Sequence, residues 1–113
     1  MSDKFLKNIP YTQEVEFASL VDYQEGQVIS RTLSQGPNLS LTLFAFDKNE
    51  EISTHASTGD ALVQILDGQA RITIGEQQYQ LKKGEAIVMP ANIPHALFAE
   101  ERFKMFLTVV FKN

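Results

Sequence analysis

Two histidines, His55 and His95, are the whole imidazole inventory of a 113-residue chain that has no cysteine. Imidazole is the side chain best suited to ligating a transition metal or moving a proton near neutral pH. Any such site in this chain must therefore be built around those two rings. The missing thiols exclude disulfides, thiolate nucleophiles, Cys-ligated zinc and iron–sulfur clusters. Other chemistries fail on motif. There is no Gly-x-Ser-x-Gly elbow, no glycine-rich phosphate loop ending in Lys-Ser/Thr, and no His-Glu-x-x-His.

The elements that must position the two rings are mostly strands. Val28, Ser30 and Thr32 alternate with Ile29, Arg31 and Leu33, and the cluster Gln35-Gly36-Pro37-Asn38 ends the run. Leu39 to Phe46 follows, with Leu41, Leu43 and Ala45 on one face and Thr42, Phe44 and Phe46 on the other. Both faces are largely apolar, so this strand must be covered on both sides or meet another subunit. Residues 61–66 and 69–74 alternate cleanly around Asp67-Gly68, a two-residue turn type, and this spacing predicts a hairpin over residues 61–74. Gly75-Glu76 turns the chain into residues 77–81, and Lys82-Lys83-Gly84-Glu85 turns it into residues 86–89, which Pro90 ends. Residues 95–99 and 103–111 read as a last strand pair around Glu100-Glu101-Arg102. Residues 1–24 form a leader of mixed signals, in which residues 17–21 suit one helical turn as well as a strand. The expected architecture is a leader over residues 1–24 and one all-β domain, a sandwich or small barrel, over residues 25–113.

Composition bounds the partners. Ten Lys and Arg against fourteen Asp and Glu give a net charge of −4 with no basic block, so no nucleic-acid partner is expected. The stretch from Met105 to Phe111 is too short to span a bilayer, and Met1-Ser2-Asp3-Lys4 lacks the features of a secretory signal. With no cysteine in use, the cytoplasm is the expected location and no membrane partner is expected.

Two segments, residues 55–68 and 84–99, resemble the paired motifs of the cupin superfamily of jelly-roll β-barrels. Gly84, Pro90 and His95 fall on the second motif at the family spacing, and Gly68 closes the first. The resemblance implies a jelly-roll barrel and, in its full form, three imidazoles and one carboxylate holding a divalent transition metal such as Fe, Mn, Zn or Ni. This chain departs from that set. Ser57 stands where the second histidine would be, Ala61 where the glutamate would be, Asn92 where the motif has glycine, and Ala99 where it has asparagine. Two neutral nitrogens alone hold such a metal weakly. Asp60 is the nearest carboxylate, but a one-residue offset aims it at the opposite face unless Gly59 makes a bulge.

The residues implicated are therefore His55 and His95 as metal or ligand contacts, Asp60 as a weak third metal ligand, and Leu97 and Met89 as apolar lining. The function expected is a barrel that binds a small organic ligand in its interior, with weak or no metal binding. The alternative is a metal-dependent cupin enzyme of dioxygenase or isomerase type, with His55 and His95 as ligands. A single small core and the two-sided strand at Leu39 to Phe46 favour a homodimer.

Overall fold

Asp67 and Gly68 do not turn a hairpin; they lie inside one long strand that forms the spine of the molecule. The computed structural model describes residues 4–112, and among them eight strands: β1 (Val28–Gln35), β2 (Leu39–Phe46), β3 (Glu51–His55), β4 (Asp60–Ile74), β5 (Gln77–Lys82), β6 (Ala86–Met89), β7 (His95–Phe98) and β8 (Phe103–Val110). All pairings are antiparallel, in the order β1-β2-β8-β4-β7-β3, with β5 and β6 also pairing to β4.

The corner in β4 explains how one strand serves four neighbours. The β4–β8 register slips between Ile65 and Asp67, and Gly68 follows at φ +73°. An unpaired residue followed by a left-handed glycine bends and twists a strand without ending it. The half before the corner pairs with β6 and β8, and the half after it pairs with β5 and β7. The sheet thereby curls on itself. The turn at Gly75-Glu76 does join a hairpin, β4 to β5. The last two strands are not partners: β7 pairs with β3 and β4, whereas β8 pairs with β2 and β4. β3 is an edge strand that the sequence pattern did not single out.

Alternation along the strands yields two cores. Ala61, Val63 and Ile65 of β4, Phe46 of β2, and Phe103 and Met105 of β8 are buried inside the curl. Phe46 and Phe103 stack there with ring centroids 4.3 Å apart, a contact worth about 1 kcal/mol beyond area burial. On the opposite side of the sheet, Leu33, Leu43 and Ala45 form a second buried cluster with Val21. Ile9, Phe17, Leu20 and Tyr23 pack against it. The two-sided apolar strand is thus covered by the chain's own leader.

The leader is fastened by polar groups as well as by apolar ones. Among its described residues the one helical element is a 3₁₀ turn, Phe17–Leu20. Arg31 donates through Nε to the Asn8 carbonyl at 2.6 Å and through Nη1 to the Leu20 carbonyl at 2.7 Å. Lys104 Nζ donates to the Ala18 carbonyl at 2.6 Å, and the Tyr23 hydroxyl donates to Asp67 Oδ2 at 2.6 Å. Burial and the Asp67 carboxylate both hold the Tyr23 phenol in its protonated form. Tyr23→Phe removes that bond and strands a half-buried carboxylate, so a loss of about 1–2 kcal/mol is expected. A urea unfolding midpoint for Tyr23→Phe unchanged from the parent would show that the bond fastens nothing. No helix among the described residues is long and apolar enough to cross a membrane.

Candidate functional site

His95 opens β7 with its side chain pointing inward, because its parity matches that of buried Leu97 and Ala99. His55 closes β3, and the two residues are cross-strand partners. Directly opposed residues bring their side chains together on one face. The imidazole centroids lie 4.5 Å apart, edge to face. His95 is only 3% exposed, whereas His55 is open to solvent.

Both rings line a cavity of about 380 Å³ inside the curl. Met89 and Leu97 line it too, as do Ser57 and Ala61, the positions that the motif comparison assigns to the two absent ligands. Phe44, Met105 and Phe111 extend the wall. Phe44 and Phe111 were legible in the sequence only as core or subunit-interface residues, and Met105 as core or cavity wall, since alternation gives a face but not a distance. Among the described residues the lining contains no Lys, Arg, Asp or Glu.

Asp60 is placed elsewhere. Asp60 and Ala61 pair with Val110 and Val109 in unbroken register, so there is no bulge to bring the carboxylate inward. Its Oδ1 accepts a bond from the Ala91 amide at 2.8 Å, and the side chain is absent from the cavity lining. Gly59 is needed for another reason. A Cβ there would lie 2.6 Å from the Val110 carbonyl oxygen and 2.9 Å from Phe111 Cδ1, so only glycine lets the chain pass so close. The Ser57 hydroxyl accepts from the Gly59 amide at 3.0 Å, and the Ser57 carbonyl accepts from the Asn92 amide at 2.7 Å. These bonds tie the loop before β4 to the loop before β7.

The donor set does not fit a resident metal. Two imidazoles are the only strong donors in the cavity, a methyl group occupies the place a carboxylate would take, and the Ser57 hydroxyl is a weak neutral donor. Among the described residues no group of three His, Cys, Asp or Glu side chains comes together.

Electrostatics favour the neutral form of His95. Burial pushes its pKa below the ordinary 6.5 and the neighbouring His55 adds to the effect; the Ile93 carbonyl pulls weakly the other way. The folded state therefore binds fewer protons than the unfolded chain as pH falls through and below about 6.5. Stability is full above that pH and declines on acidification until the folded group also titrates. Urea midpoints at about pH 7.5 and 5.5 should differ more for the parent than for His95→Gln. Equal differences would mean that His95 titrates normally.

A cupin domain family model matches residues 42–111. The structure superposes with a TM-score of 0.98 on a conserved protein of unknown function from Streptococcus pyogenes, 42% identical over 100% of this chain and 99% of that one. A cupin superfamily protein from Desulfitobacterium hafniense superposes with a TM-score of 0.90, 34% identical over 95% of this chain and 98% of that one. Among curated proteins, a mannose-6-phosphate isomerase from Streptococcus mutans is 33% identical over 52 residues, which is 46% of this chain and 16% of the isomerase. An uncharacterised protein from Streptomyces coelicolor is 29% identical over 58 residues, and this chain covers 55% of it. The chain thus spans well under two thirds of either curated relative.

Proposed function

We propose that this chain, which belongs to the cupin domain family, holds a small organic molecule directly in its cavity, with weak or no metal binding. The observation that carries this reading is the pairing of the two imidazoles with Ala61 and Ser57 in one cavity. A site stripped of its carboxylate and one of its three imidazoles keeps the shape of a pocket while losing the charge that retains a cation. An apolar wall with a few convergent polar atoms is the usual chemistry of small-ligand pockets, and about 380 Å³ lies within their usual size range.

The other reading is a metal-dependent enzyme of dioxygenase or isomerase type. It draws on the 4.5 Å approach of the rings, which suits shared coordination. Metal content separates the two. Protein purified without added metal or chelator is expected to carry far less than one equivalent of Fe, Mn, Zn or Ni, and denaturing extraction is expected to release a small organic molecule. A full equivalent of metal that disappears in His95→Ala would overturn the proposal in favour of the enzyme. A homodimer belongs to the same reading, since Leu39, Val88 and Val110 remain exposed and a second copy would cover them.

A further inference from the structure

The two imidazoles present their nitrogens unequally. His55 Nδ1 lies 3.0 Å from the Ser53 carbonyl, an acceptor only, so Nδ1 must carry the proton. That leaves Nε2 with a free lone pair. His95 Nδ1 is enclosed and has no hydrogen-bond partner. His55 thus offers the cavity an Nε2 acceptor, whereas the buried ring of His95 is held by no such carbonyl bond.

The rest of the lining decides the ligand's charge and body. With no cationic side chain in the cavity, an anionic headgroup would be desolvated without a partner; with no carboxylate, so would a cationic one. Phe44 and Phe111 supply aromatic surface, and Met89 and Met105 supply thioethers, which pack well against aromatic edges. A dry cavity of about 150 Å³ suffices for benzene, so about 380 Å³ admits a substituted ring.

We infer that the cavity selects an uncharged aromatic alcohol, its hydroxyl donating to His55 Nε2 and its ring packed between Phe44, Phe111 and the two methionines. This rests on the proposal that the cavity holds an organic molecule, and it adds which end of that molecule is read and by which atoms. The test compares phenol, anisole, toluene and benzoate by calorimetry or amide-shift titration at about pH 8, where phenol is still uncharged. Phenol is expected to bind about tenfold or more tighter than anisole or toluene, since only it fills the acceptor. Benzoate is expected to bind more weakly than phenol. The phenol advantage should vanish in His55→Ala, whose exposed site tolerates truncation, while toluene binding persists. Anisole or toluene matching phenol would overturn the inference and leave a cavity that still binds organic molecules. Benzoate surpassing phenol would overturn it in favour of an anion site. Binding of none of the four would contradict the parent proposal together with the inference.

Discussion

Gly68→Ala is expected to destabilise the fold by about 4 kcal/mol or more, against the 5–15 kcal/mol that holds most domains of this size together. Two effects add at this position. The residue sits at φ +73°, which costs an L-side chain about 1–2 kcal/mol. The new Cβ would also be driven into the Arg102 carbonyl oxygen and would lie 3.0 Å from Phe103 Cα, both backbone atoms that cannot swing aside. Gly84 is the internal control, because it has φ +91° but open space around its missing Cβ. Gly84→Ala is expected to cost only about 1–2 kcal/mol. Urea unfolding of both variants reads the difference. Equal losses would mean that the corner in β4 is not tightly packed against β8.

The second large effect is a gain rather than a loss. Ser57→His combined with Ala61→Glu is expected to tighten binding of Ni or Zn by about 100-fold or more, and to make the purified protein retain the metal. Both positions line the cavity that His55 and His95 line, so each new donor enters the same space. Ala61 is 2% exposed, and a carboxylate buried there needs a cation beside it. Stability of the double variant should therefore rise with added metal, whereas the parent's should not. If the variant folds, as judged by its circular dichroism, yet binds metal no better than the parent, the four positions do not converge as described.

Legibility of the sequence varied with the kind of information each residue carried. Two-fold alternation placed Leu43 and Ala45 on one face and Phe44 and Phe46 on the other, and these faces became the two cores. The same pattern could not say whether Asp67-Gly68 reverses the chain or bends it. Positive φ serves both, and only the partners of residues 61–65 and 69–74 decide between them. β3 escaped notice because Glu51, Ser53, Thr54 and His55 are polar and exposed, leaving Ile52 as its one inward apolar residue. Its absence from the pattern concealed that His55 sits opposite His95.

The site was legible as far as its donors and no further. The motif resemblance singled out His55 and His95, parity with His95 singled out Leu97, and an adaptable side chain singled out Met89; each lines the cavity. The departures at Ser57 and Ala61 were also visible against the motif, and they turned out to share that cavity. What spacing cannot supply is convergence. Phe111 follows the last strand and Phe44 lies in β2, yet both reach the wall that the imidazoles close. Gly59 likewise suggested a bulge, whereas the structure uses it for a close approach to Val110, and Asp60 faces the Ala91 amide.

The most direct test of the organic-ligand reading is a crystal structure of protein purified without added ligand, with anomalous data collected at the Fe, Mn, Ni and Zn absorption edges. The expected map shows continuous density for a small molecule between the imidazole Nε2 atoms and the Met89–Phe111 wall, and no anomalous peak. An anomalous peak at about 2.0–2.2 Å from both Nε2 atoms, with water in the remaining positions, would contradict it.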